Sequence, residues 1–100
     1  MKSNNATYMY AIKWSSKFKK EYKLAIRRNY KIEELDEVII TLANGETLPE
    51  KYEDHALEGK WKGHRECHVR PDWLLIYQIK EDMLVLELTR TGTHADLFGK

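Results

Sequence analysis

One hundred residues, 42% of them hydrophobic and 33% charged, suffice for one compact core and leave no room for a second, so a single domain over residues 1–100 is expected. The only cysteine, Cys67, excludes an intrachain disulfide, and neither a basic leader with an apolar stretch behind it nor an apolar run near ~18 residues is present, so a cytoplasmic location and no membrane partner are expected. The net charge of +1 conceals an asymmetry: residues 1–31 carry nine Lys or Arg against Glu21 alone (+8), residues 32–58 carry Lys51 against nine acids (−8), and the remainder carries seven against six (+1).

Residues 1–7 are expected to be a loose N-terminus. Tyr8 to Trp14 is rich in aromatic and β-favouring types and reads as a first strand. Ser15 or Ser16 then caps a helix in which Phe18, Tyr22, Ala25 and Ile26 share one face and the lysines and arginines take the other. After a break over residues 29–31, Ile32, Leu35, Val38, Ile39 and Leu42 form the stripe of a second helix. Its acids, Glu33, Glu34, Asp36 and Glu37, suit the positive N-terminal end of the helix dipole. Two helices joined so briefly suggest a helical hairpin.

Residues 44–63 have little periodicity and read as a long connecting loop, uncommon in a compact domain unless it serves a purpose. Alternation resumes from His64 to Arg70, setting His64, Glu66, His68 and Arg70 on one strand face and Cys67 and Val69 on the other. Pro71 and Asp72 are turn residues. Residues 73–80 are an apolar run typical of a central strand. Glu81-Asp82 reads as a tight turn and residues 83–89 as a last strand, with Leu84, Leu86 and Leu88 inward. Residues 91–94 read as a closing turn. The expected architecture is α+β, with two N-terminal helices packed on one side of an antiparallel sheet of about four strands.

Chemistry is concentrated in the histidines. His64 and His68 have the spacing of two metal ligands on a helix. On a strand, four residues at ~3.3 Å each set them about 13 Å apart, too far to share an ion bound at ~2 Å. No metal or other cofactor is therefore expected. The other use of histidine beside a carboxylate is acid–base catalysis near neutral pH, since free imidazole titrates near ~6.5. Cleavage of RNA needs that pairing: a base for the ribose 2′-hydroxyl, an acid for the departing 5′-oxygen and a cation at the phosphate. His55, His68, Asp72 and His94 are the candidates for proton transfer and Arg90 for the cation, all on a loop, a turn or a strand end, where sites are commonly built. Each has a plain structural alternative as a surface histidine or a turn aspartate. Trp73 and Phe98 are candidates to stack on RNA bases, with core packing the alternative for Trp73. Cys67 points away from the histidines and is expected to be packing. The basic helix, with Lys17, Lys19, Lys20, Lys23, Arg27 and Arg28, suits either a polyanion or solvent.

Three stretches resemble the YafQ branch of the RelE-type toxins: Asp54-His55-Ala56-Leu57-Glu58-Gly59 leading into Trp61-Lys62-Gly63, then His68-Val69-Arg70-Pro71-Asp72-Trp73-Leu74-Leu75-Ile76-Tyr77, and Arg90-Thr91-Gly92-Thr93-His94-Ala95-Asp96-Leu97-Phe98. The order of elements upstream fits the same RelE-like fold. The resemblance implies a bacterial type II toxin that cuts messenger RNA on the translating ribosome, with no cofactor. It also implies a co-expressed antitoxin that silences it in a heterotetramer and brings the pair to promoter DNA. Carried over by residue, the family's catalytic positions fall on His55, His68, Asp72 and His94, with Arg90 assisting at the phosphate and Phe98 positioning RNA. His64 stands where relatives are expected to carry an aromatic and is given no role. If the target is RNA inside a ribosome, the basic helix is expected to meet ribosomal RNA phosphates. The contrasting reading is a non-catalytic member of the fold, such as a gyrase poison or a plain binding partner, for which this histidine set is unnecessary.

Overall fold

The computed structural model describes residues 8–99; residues 1–7, and with them the expectation of a loose N-terminus, lie outside the described residues. Strand β1 (Ala11–Trp14) runs into helix α1 (Ser16–Arg27). Ser15 caps α1, its hydroxyl accepting from the Phe18 N–H at 3.0 Å, which satisfies one of the free donors of the first turn. The helix ends where Asn29 turns left-handed (φ 65°) and the Tyr30 N–H reaches back to the Ala25 carbonyl at 3.0 Å; asparagine tolerates that conformation. Helix α2 (Ile32–Ala43) follows at once. It closes in the same way at Gly45 (φ 77°), where an added Cβ would lie 2.6 Å from the Met9 sulfur.

The sheet has five strands in the order β1-β5-β4-β3-β2. Strands β2 (His55–Ala56), β3 (Arg65–Arg70), β4 (Trp73–Lys80) and β5 (Val85–Gly92) pair antiparallel with one another in sequence order. One face carries Cys67, Leu75, Tyr77, Leu86 and Leu88 and packs on Phe18, Ala25, Leu35, Val38 and Leu42 of the two helices. The buried leucines, Val38 and Phe18 each contribute about 1.5–3 kcal/mol. The opposite face carries Leu74 and Ile76, covered by Leu97, with Leu57, Trp61 and Phe98 partly buried against them. Among the described residues no helix is long and apolar enough to cross a membrane.

Four details differ from the sequence-based expectation. The first strand pairs parallel with β5, because the two helices and the strand reversals after them return the chain to its side in the same direction. A fifth strand, only two residues long, lies inside the expected loop and joins the edge through the pairs His55↔Glu66 and Ala56↔Arg65. The turn before β5 extends through Leu84, left-handed at φ 53°, so Met83 and Leu84 are exposed while Leu86 and Leu88 face inward. Strand β5 runs on to Gly92, and His94 opens a short helix, α3 (His94–Phe98), instead of closing a turn.

Candidate active site

The site grows on the sheet face opposite α1 and α2. At its edge, the buried Tyr77 hydroxyl donates to Asp54 at 2.5 Å, and Arg65 adds an ion pair to the same carboxylate at 3.2 Å. Burial, and then Asp54 beside it, push the Tyr77 hydroxyl pKa up, so it stays a donor. Asp54 precedes His55, so this anchor fixes where β2 begins. The left-handed turn at Glu53 (φ 49°) brings that residue's carbonyl to 2.6 Å from His55 Nδ1. A carbonyl can only accept, so Nδ1 holds the hydrogen and Nε2 faces inward.

His55 Nε2 meets Glu66 Oε1 at 3.2 Å. Glu66 is only 6% exposed and lies directly across the ladder from His55. Two residues further along the same face, His68 directs Nε2 to within 3.8 Å of the same oxygen, while its Nδ1 donates to the Pro71 carbonyl at 3.2 Å. With both Nδ1 hydrogens held by carbonyls, the two Nε2 atoms face one buried carboxylate oxygen, so a proton delivered there lies between two imidazoles and Glu66.

The β3–β4 turn supplies the third part. Asp72 Oδ1 accepts from the His94 backbone N–H at 2.8 Å and from Nδ1 at 2.5 Å. These bonds, the backbone one first, hold the Asp72 carboxyl below the usual carboxylate pKa. His94 Nδ1 is then the donor, leaving Nε2 with a free lone pair when the ring is neutral. Ring centroids are 6.3 Å apart for His55 and His68 and 5.8 Å for His68 and His94, so the three imidazoles form a row tied to Glu66 at one end and Asp72 at the other.

Helix α3 is held for this purpose by a capping box between Thr93 and Asp96. Asp96 also takes a bidentate pair from Arg28, with one contact at 2.7 Å. The Arg28 guanidinium lowers the Asp96 carboxyl to about 2. An added Cβ on Gly92 would sit 2.9 Å from the Asp96 side chain, so only glycine admits this close turn.

The structure thus brings His55, His68, Asp72 and His94 together. Other expected site residues fall elsewhere. Arg90 is not a free cation: it pairs bidentately with Glu21 of α1, with one contact at 2.6 Å, and Glu21 also accepts from the Thr91 N–H. Arg90 is therefore a brace between α1 and β5. Trp73 is 4% exposed and its indole donates to Thr91 at 3.1 Å, so it is core and does not offer a stacking surface. Phe98 remains half-buried beside the row. Lys17, Lys19, Lys20, Lys23 and Arg27 are exposed on α1, whereas Arg28 is committed to Asp96. His64 stands apart, edge-on to Trp61, and the buried Cys67, its thiol pKa raised by burial, is packing.

Glu66 escaped sequence reasoning. Its signal was present, since an acid two residues before His68 on an otherwise buried strand faces the same way. Asp54 and Tyr77, 23 positions apart, gave no such signal.

Comparison with known proteins is consistent along nearly the whole chain. A family model described as "Bacterial toxin of type II toxin-antitoxin system, YafQ" matches residues 10–99. The mRNA interferase toxin YafQ of Escherichia coli K12 is 45% identical over 89 residues, covering 88% of this chain and 95% of that protein. The crystal structure of YafQ from Escherichia coli BL21(DE3) superposes with a TM-score of 0.85 at 42% identity, covering 90% of this chain and 99% of that one. The toxin in the Escherichia coli DinJ-YafQ toxin-antitoxin complex gives 0.84 at 42% identity, covering 91% and 99%.

Proposed function

The chain belongs to the YafQ family of bacterial type II toxins, and on that premise we propose that it is an endoribonuclease that cleaves messenger RNA on the translating ribosome and is silenced by a cognate antitoxin. One observation carries the chemistry: the row His55, His68, His94, with the first two held through Nδ1 by the Glu53 and Pro71 carbonyls and facing Glu66, and His94 held through Nδ1 by Asp72. His94 Nε2, its ring oriented through Nδ1 by Asp72, takes the proton of the ribose 2′-hydroxyl. The freed oxygen attacks the adjacent phosphorus, forming a 2′,3′-cyclic phosphate and breaking the bond to the 5′-oxygen. The proton shared among His55, Glu66 and His68 passes to that departing oxygen. Proton transfers of this kind contribute roughly 10²–10⁴-fold each.

The His55–His68 pair, when it carries that proton, supplies positive charge to the crowded phosphate, the part first expected of Arg90. Phe98, at the end of α3, packs against the RNA beside the cut. The exposed α1 cations Lys17, Lys19, Lys20, Lys23 and Arg27 meet ribosomal RNA phosphates, which fix orientation without reading sequence. The antitoxin joins the toxin in a heterotetramer and carries it to promoter DNA.

Brief induction of the wild-type chain, followed by pulse labelling of protein and DNA, tests this reading. Protein synthesis is expected to stop first, with messenger RNA cut while replication continues. Arrest of replication with messenger RNA intact would overturn it in favour of a gyrase-directed toxin.

A further inference from the structure

Beside the imidazole row, a cleft of about 370 Å³ opens between the turn joining α1 to α2 and the turn joining β3 to β4, lined by Asn29, Tyr30, Lys31, Arg70, Asp72 and Trp73. We propose that this cleft is a nucleotide subsite that holds the base and phosphate of the nucleotide adjoining the cleaved bond; the inference rests on the nuclease reading above.

Position is the first argument. Asp72 belongs to both places: Oδ1 holds His94, and the residue lines one side of the cleft. A chain with its scissile phosphate on the imidazoles has its neighbouring nucleotide on that side. The volume lies at the small end of ligand clefts, which run from ~300 to ~1,000 Å³, and suits one nucleoside.

The lining supplies what a nucleotide needs. The Tyr30 ring is half-buried and set against the Trp73 indole at 4.9 Å and 62°. Trp73 is itself pinned by Thr91, whose hydroxyl donates to the Leu74 carbonyl at 2.7 Å. Tyr30 is therefore a rigid aromatic surface, and a base stacked on such a surface gains affinity without sequence reading. Arg70 is the phosphate partner. The register shift after His68 takes Arg70 off the face it was expected to share with the histidines and turns it to Glu34 of α2. Its Nε and Nη2 donate to the two Glu34 oxygens, each at 2.7 Å. The guanidinium is held in one orientation, and Nη1 has no hydrogen-bond partner among the described residues. Lys31 adds an exposed second cation. A planar fork held by a carboxylate and presenting its remaining N–H groups suits a phosphate.

An acidic peptide could use the two cations, but it has no use for the Tyr30 surface or for a wall shared with the proton-transfer groups. The test is amide chemical-shift titration of the whole chain with adenosine 5′-monophosphate, adenosine and inorganic phosphate. Neither ribosome nor cleavage enters it, so its outcome is independent of whether the chain cuts RNA. The monophosphate is expected to shift Tyr30, Lys31 and Arg70 and to bind more tightly than adenosine or phosphate. Tyr30→Ala should weaken it at least about fivefold, and Arg70→Gln should remove its advantage over adenosine. Glu34→Gln, which breaks the brace but keeps the guanidinium, separates a ligand contact from a structural ion pair: binding should stay within about threefold. Shifts confined to α1, equal response to phosphate alone, or equal losses for Glu34→Gln and Arg70→Gln would overturn the subsite.

Discussion

Replacing Glu66 by glutamine removes the charge shared by two imidazoles and changes almost no volume. The carboxylate oxygen is 3.2 Å from His55 Nε2 and 3.8 Å from His68 Nε2. At such distances unit charges interact by about 4 kcal/mol when the effective dielectric is ~20. The His55 side chain is 48% exposed, so solvent screening reduces the useful part to about 1 kcal/mol. That is the stabilisation lost to a proton carried on the pair, equivalent to a fall of roughly fivefold in the cleavage step. A glutamine amide also cannot receive the shared proton. The assay is single-turnover cleavage of messenger RNA in programmed ribosomes at saturating toxin, with Glu66→Asp as the charge-retaining comparison. The aspartate variant should recover most of the rate. A folded Glu66→Gln protein cutting within about twofold of wild type would refute the proton-sharing role.

Tyr77→Phe deletes the hydroxyl that holds Asp54; a loss of about 1–2 kcal/mol in denaturant unfolding is expected, with a larger fall in cleavage than in antitoxin binding because His55 loses its anchor. The Asp96 carboxyl, lowered from 3.8 to about 2 by Arg28 and the Thr93 bonds, contributes stability that is present above pH ~4 and is lost as the pH falls through about 2. Thermal melts should therefore decline over that interval, and Asp96→Asn should flatten the decline while lowering the melting temperature at neutral pH; an unchanged slope would separate Asp96 from acid stability. Chelation with EDTA, followed by desalting into metal-free buffer, should leave cleavage of ribosome-bound messenger RNA unchanged, provided the ribosomes are restored to their own magnesium. Restoration of activity only by a transition metal would contradict the acid–base mechanism.

The helices, the central strands and the three histidines were readable because each depends on local pattern or on short, recognisable stretches. Phe18 to Ile26 and Ile32 to Leu42 fix helices by spacing alone, and residues 73–80 fix a buried strand by composition. What escaped reading depends on pairings between distant positions. Arg90 looks like a free cation until α1 brings Glu21 against it from 69 positions away, and Arg28 looks solvent-bound until Asp96 closes on it. The alternation from His64 to Arg70 is sound as far as His68. The register shift beyond it, which sends Arg70 to α2, has no local mark. Glu66 and α3 are legible in principle: the first from its strand face, the second from the Thr93…Asp96 capping box, which overlaps the turn expected over residues 91–94.

The mechanism turns most directly on His94, which Asp72 orients through Nδ1 so that Nε2 presents a free lone pair when the ring is neutral. Primer-extension mapping of transcripts after brief expression of wild type and His94→Ala tests it. Wild type should give discrete cuts within translated regions, and the variant should lose them by at least about a hundredfold while still folding and binding antitoxin. Equal cutting by a folded His94→Ala protein would contradict the account.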